Sequence, residues 1–369
     1  MFDGLSVDQQ RFIRRWIVGL AVIFLLFGSL SIGQAYKQKL IASEIRAVRM
    51  DPSAPELGRT PAAPLPVDGD FVQVKVGLYL DGITALSLKE SYWDATFFIW
   101  FTWKGDRSFD PGKSFQVVDG KILSKDLGET YTSPEGVNYQ SYKVYARISK
   151  FFNVGGVPLD SHMLEIEIED GARDVSRLRF IADDTADISS RVVIPGYQIQ
   201  GISSVVKAHT YKSNHGDPRY VAQAQRQITF SGYKYHVQIK RAGFGIYVKL
   251  FIGLFAGVIL TLCSFFARAS DLGPRFGIPS AAYFGSVANA YVVNGLLPPG
   301  SQFGFADFIT GLGLGTIALC VVATLVSSHY DLHQGQKHFA KCLDRVSFVV
   351  IGLGYLSINI VLPLVVFGY

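Results

Sequence analysis

Val157-Pro158-Leu159-Asp160-Ser161-His162-Met163-Leu164-Glu165-Ile166-Glu167-Ile168-Glu169 carries a proline turn straight into a run whose apolar and acidic residues alternate. Leu164, Ile166 and Ile168 fall on one face and Glu165, Glu167 and Glu169 on the other, the period of two that belongs to a β-strand. The same period recurs in Val72, Val74, Val76, Leu78 and Leu80, and again in Tyr233, Tyr235, Val237 and Ile239. Turn formers separate such runs, as in Asp110-Pro111-Gly112, Pro195-Gly196 and His215-Gly216-Asp217-Pro218, and no run between Phe71 and Arg241 keeps a long helical period. Residues 71–243 are therefore expected to form a β-sandwich.

The sequence on either side is of another kind. Over 369 residues the chain is 49% hydrophobic with a mean hydropathy of +0.25, more than a soluble α/β enzyme needs, and the excess is concentrated in blocks. Five stretches reach the roughly 20 apolar residues that cross a hydrocarbon core as helix: Trp16 to Ile32, Tyr247 to Ala267, Ile278 to Leu297, Phe303 to Ser327, and Val346 to Phe367. The last four make residues 244–369 a four-helix transmembrane bundle in this reading. The first, within residues 1–50, is an additional N-terminal transmembrane helix. It reads as an uncleaved anchor, with a signal peptide as the alternative, because Arg14-Arg15, an apolar run and Gly33-Gln34-Ala35 also fit a cleavable leader. Leu40, Ile41, Ile45 and Val48 carry the helical period on to Met50, and residues 51–70, with Pro52, Pro55, Pro61, Pro64 and Pro66, read as a tether.

Arg11, Arg14 and Arg15, then Arg268 and Arg275, then Lys337, Lys341 and Arg345 all fall on one side if every segment spans. By the positive-inside rule that side is cytoplasmic, which puts the β region and Tyr369 outside. None of the three cysteines lies in the β region, and no Asn-x-Ser/Thr sequon occurs, which fits a domain in a bacterial periplasm and a chain in the inner membrane. The net charge of +5 follows from this topology, and no basic run interleaved with aromatics points to nucleic acid. No nucleophile elbow, phosphate loop or His-Glu-x-x-His is present, so an enzyme is not expected, nor is a cofactor. Intramembrane charge is nearly confined to Asp307, which argues against an ion-coupled transporter.

Glu165, Glu167 and Glu169 read as solvated decoration of a strand, or else as a proton or divalent-cation site, since crowded carboxylates raise one another's pKa and attract cations. His329, His333 and His338 lack an acid or cysteine to complete a ligand set, so no metal is expected there.

The order of these parts resembles the pentameric ligand-gated ion channels, the Cys-loop receptor superfamily, especially bacterial members without the Cys-loop disulfide. The resemblance covers about Phe71 to the C-terminus. It rests on VGLYLDGITALSLKESYWDATFFIWFTWKGDRSFDP (76–111), VPLDSHMLEIEIED (157–170), GYQIQGISSVVK (196–207), YKYHVQIKRAGFGIYVKLFIG (233–253) and GPRFGIPSAAYFGSVANAYVVNGLLPPG (273–300), all in the family's order. Gly253 stands where the family usually has a proline, Tyr197 where it has a tryptophan, and no Trp-x-Pro loop occurs between Lys113 and Gln140.

The resemblance implies a homopentamer in membrane lipid, opened by a small molecule or by protons bound to the β-sandwich. Its pore helix would present Gly277, Ala281, Phe284, Ala288 and Tyr291 to the lumen. A register slipped by one residue would present Ser280, Tyr283, Val287, Ala290 and Asn294 instead. In either case an aromatic ring sits near mid-membrane and is expected to gate by dewetting. Coupling is implied for Pro158, Asp160 and Arg241, with the turn pressing on the loop Leu297-Pro298-Pro299-Gly300. Trp100, Trp103, Tyr197, Tyr211 and Tyr220 are candidates for an aromatic ligand site between subunits, with Trp93 and Phe101 beside them in sequence. The alternative is a non-conducting membrane-anchored sensor or scaffold.

Overall fold

The computed structural model describes residues 5–55, 60, 70–221 and 227–367. In chain order it has α1 (Val7–Met50), β1 (Val72–Ser87), β2 (Tyr92–Lys104), a four-residue α2 (Pro111–Ser114), β3 (Phe115–Val118), β4 (Gly120–Thr132) and β5 (Val137–Ser149). There follow β6 (Ser161–Asp170), β7 (Leu178–Ala182), β8 (Asp187–Ile188), β9 (Tyr197–Tyr211), a short α3 (Pro218–Val221) and β10 (Ile228–Arg241). The remainder is helical: α4 (Gly245–Cys263), α5 (Leu272–Asn294), α6 (Phe305–Leu332) and α7 (Lys337–Phe367). Pro61, Pro64 and Pro66 of the expected tether, and Tyr369, lie outside the described residues. The chain divides into two compact units. One takes the chain up to Lys39, Asn153–Asp160 and everything from Gly243; the other takes Leu40–Phe152 and Ser161–Ala242.

In the helical unit α1 lies along α7. Trp16 Nε1 donates to Ser347 Oγ at 3.0 Å, the Phe12 and Phe339 rings meet edge to face, and Gly354 leaves room for the Phe24 ring, which a Cβ there would meet at 2.6 Å. Leu254, Phe251 and Val258 of α4 and Ile309, Ile317 and Cys320 of α6 form the core. Among the described residues four helical stretches are long and apolar enough to cross a membrane: Val7–Met50, Gly245–Phe266, Phe305–Leu332 and Lys337–Val366. This is a membrane protein.

The expected fold class, a β-sandwich followed by a four-helix transmembrane bundle, is corrected on both counts. After the β region three helices among the described residues are apolar enough to span; the third expected segment, Ile278 to Leu297, falls in α5, whose glycines, serines, asparagines and Arg275 dilute its apolar residues. The strands form one sheet ordered β4-β5-β2-β1-β7, with β8 also on β1, and a second ordered β3-β6-β10-β9. β7 and β8 run parallel to β1, so the first sheet is mixed. A sandwich sheet keeps one face solvated, whereas β6 and β10 of the second sheet are buried on both faces over most of their length.

Candidate functional site: a buried charge ladder and the open face of α5

The alternation of β6 does place Leu164, Ile166 and Ile168 in the core, and it sends the three glutamates to the opposite face. That face is not solvated. Register sets Glu169 beside Gly232, Glu167 beside Lys234 and Glu165 beside His236 on β10, and sets Lys207 and Ser203 of β9 in the same rows. Lys234, 1% exposed, brings Nζ to 3.7 Å from Glu165 Oε1 and 3.4 Å from Glu167 Oε2. His236 Nε2 meets Glu165 Oε2 at 3.1 Å, while His236 Nδ1 and the neighbouring Ser203 Oγ are buried without a hydrogen-bond partner. Glu169, fully buried, is met by His209 Nδ1 on one oxygen and receives the Tyr211 hydroxyl on the other at 3.0 Å.

The last turns of α1 cover this face. Lys207 Nζ donates to the carbonyls of Val48 and Ala54, Arg46 donates to Ser161 Oγ at 3.1 Å, and the Gln238 amide reaches Met50 Sδ. Ile45, Val48 and Arg49 line a cavity of about 320 Å³ together with Lys150, Glu165 and Glu167.

Burial works to raise the Glu165 carboxyl, but the His236 hydrogen bond and the charges of Lys234, His236 and Lys150 outweigh it and hold the group well below the ordinary carboxylate range. The three glutamates share the cations around them, with Lys234 inserted between Glu165 and Glu167, Lys150 acting on Glu165, and Lys207 donating to the carbonyls of Val48 and Ala54. The His209–Glu169 contact is an ion pair only when the imidazole is protonated. Glu167, Glu169 and His209 also bring their ligand atoms within 4.8 Å of one another, so these three could hold a divalent ion. The reading of the glutamates as solvated decoration is thus corrected, and the residues it missed are Lys234, His236, His209 and Lys207. Their period of two in β9 and β10 was visible; the cover was not.

The aromatic candidates are not gathered into one site within the chain. Tyr211 belongs to the ladder, its ring 4.3 Å from that of His209. Tyr197, at the other end of β9, lies under the Arg241 guanidinium at 4.1 Å. Trp103 is buried and donates to the Asp106 carbonyl. Trp100 packs on Gly77 so closely that a Cβ there would meet its ring at 2.3 Å, and its Nε1 donates to Asp183. Asp183 is held down to about 2: burial acts to raise it, and the bonds from Trp100 and Thr185 with the charge of Lys75 prevail. Tyr220 donates to Asp174 at 2.7 Å, and burial with that bond pushes its hydroxyl up to about 12. Trp93 and Phe101 are core residues.

Of the coupling candidates, the Val157-Pro158 bond is cis and Asp160 is buried in the helical unit. There the turn meets the start of α6: Phe305 N donates to Gly155 O at 2.8 Å, and a Cβ on Gly304 would meet the same carbonyl at 2.8 Å. Pro298 lies half-buried between α5 and α6, before this contact.

On α5 the buried side chains are Arg275, Pro279, Ala282, Ser286 and Val293. Gly257 of α4 sits against Ser286 Oγ, and Asn289 Nδ2 donates to Leu250 O at 2.8 Å, so this face is committed to its neighbour helix. Arg275 is fully buried and paired with Asp344 of α7, with Ser327 and Ser328 of α6 within 3.5 Å. The opposite face is open. Gly277, Ala281, Phe284, Ala288 and Tyr291 are all exposed, Phe284 at 72% and Tyr291 at 73%. In the slipped register Ser280, Tyr283 and Asn294 are exposed as well, while Val287 and Ala290 are half-buried.

No protein-family model matches the chain, and no curated protein matches it in sequence.

Proposed function

We propose that several copies of this chain assemble into an ion channel, with the open face of α5 lining the pore and with protons or a small ligand acting at the β unit. One observation carries the reading. The helix of its unit that is least suited to lipid is the one that leaves exposed a continuous stripe of small residues, Phe284 and Tyr291. Such a stripe wastes apolar surface in a monomer but becomes a set of rings when copies close around an axis. Five copies, and opening by a bound ligand, follow from the family resemblance.

The charge ladder offers a place for the stimulus to act, because His236 on Glu165 and His209 on Glu169 set imidazoles against buried carboxylates, and a ligand or proton bound there would shift the equilibrium toward the state that binds it better. Orientation follows the basic clusters. Gln9 on α1 hydrogen-bonds Gln336 just before α7, and Arg268 shares a cavity with Lys337 and Lys341, so the clusters gather at one end of the helical unit. Read by the positive-inside rule, that end is cytoplasmic and the β unit lies in the periplasm of an inner membrane.

The test is ion flux from liposomes containing the full chain, measured while external pH is stepped from about 7.5 to about 4.5. Flux that rises with acid and grows further in Phe284→Ala supports a pore gated at that ring. Flux indifferent to pH and to residue 284, from protein shown to be correctly inserted, favours the non-conducting sensor.

A further inference from the structure

A cavity of about 720 Å³ opens beside the N-terminal turns of α7, between them and the segment joining α4 to α5. Lys337, Lys341 and Arg345 line it from successive turns of one face of α7, and Arg268 faces them from the connecting segment. None of these four makes an ion pair among the described residues. Like charges four residues apart on a helix repel, and here two such repulsions are stacked and a fourth cation is added. Of the two carboxylates in the wall, Asp344 is already taken by Arg275, leaving Asp331 as the single acid against four cations.

Apart from Ser270 the rest of the wall is apolar and continues to the outside of the unit: Phe266 is 76% exposed and stacks edge to face on Phe348, and Val349 is exposed beside it. An anion held by the cations would have its attached chains laid over these side chains. Topology alone would account for cations in a short loop, but not for a cavity with an apolar flank.

We infer that this cavity binds the phosphate headgroup of an anionic phospholipid, with Arg268, Lys337, Lys341 and Arg345 as its counter-charges and Phe266, Phe348 and Val349 against the acyl chains. The site is independent of the pore reading, since it is complete within one chain. Basic recesses between membrane helices are suited to this role because each cation near a headgroup strengthens binding about fivefold.

The experiment is native mass spectrometry of the full chain in neutral detergent, titrated with dioleoyl-phosphatidylglycerol or dioleoyl-phosphatidylcholine. Wild type should retain phosphatidylglycerol in preference, and K341Q/R345Q should bind it about 25-fold more weakly. R14Q/R15Q, which removes the same charge at the same end but away from the cavity, should bind within twofold of wild type. If K341Q/R345Q does not fold, R268Q should lose about fivefold while K341R/R345K keeps wild-type binding. The inference is overturned if the cavity variants bind as wild type does, or if R14Q/R15Q loses as much as they do. It is also overturned if inorganic phosphate at equal concentration displaces the lipid, which would mark a site for the free anion.

Discussion

Replacing Lys234 by Met keeps most of the side chain's length and removes the one ammonium inserted between Glu165 and Glu167. Both carboxylates would remain under the cover of α1, at 3.4 and 3.7 Å from a methyl group instead of a cation. Breaking a buried ion pair from one side costs about 3 to 5 kcal/mol. For a unit of about two hundred residues each kcal/mol lowers the melting temperature by about 2 to 4 °C, so the expected fall is about 6 to 20 °C. Three of the four tryptophans, Trp93, Trp100 and Trp103, lie in the β unit, so intrinsic fluorescence during heating of the detergent-solubilised protein reads the relevant transition. The pH dependence of the difference is specific. In wild type the depressed Glu165 contributes stability that is present above its unfolded value of 4.5 and is lost as pH falls through the lower folded value. In Lys234→Met one of the charges that offset burial at Glu165 is gone, so the penalty is full at neutral pH and shrinks as acid protonates that carboxylate. Adding E165Q and E167Q to the variant should recover most of the loss. A fall below about 2 °C at pH 7, or one that does not shrink in acid, would refute the ladder as a buried, charge-compensated device.

Arg275→Gln should leave Asp344 buried and unpaired, costing about 3 to 5 kcal/mol; the yield of folded protein on size exclusion should drop sharply, and Arg275→Gln with Asp344→Asn should restore part of it. Gly354→Ala forces a Cβ to within 2.6 Å of the Phe24 ring, so it should cost about 1 to 3 kcal/mol and loosen α1 from α7, seen as faster hydrogen exchange over residues 16–32. Phe284→Ala, on an exposed face, should change melting by under about 2 °C while altering flux, a separation that a core residue would not show.

What the sequence made legible was local. The alternation of Leu164, Ile166 and Ile168 sorts the core face of β6 correctly, and the helical period from Leu40 to Val48 does continue α1 to Met50. The burial of the glutamates was not legible, because it depends on a cover supplied by residues 45–54, more than a hundred positions upstream, and on registers that bring Lys234, His236 and His209 beside them. The mixed first sheet was hidden for a related reason: Val72 to Leu80 alternates in the same way whether its neighbour is antiparallel β2 or parallel β7. The apolar length of Ile278 to Leu297 was misleading about α5. Composition counted residues without regard to face, and the structure separates a committed face at Ala282, Ser286 and Val293 from the open one that carries Phe284 and Tyr291. Arg275, counted from sequence among the basic residues of the cytoplasmic side, is buried against Asp344 and points away from that open face.

The central claim is that the open face of α5 is closed by copies of itself. Native mass spectrometry of the full chain, released from detergent without crosslinking, tests it without knowledge of any ligand. A mass of five chains that shifts to single chains when Phe284 and Tyr291 are both replaced by Lys is the result predicted here. A stable monomer or dimer in the wild type would contradict it.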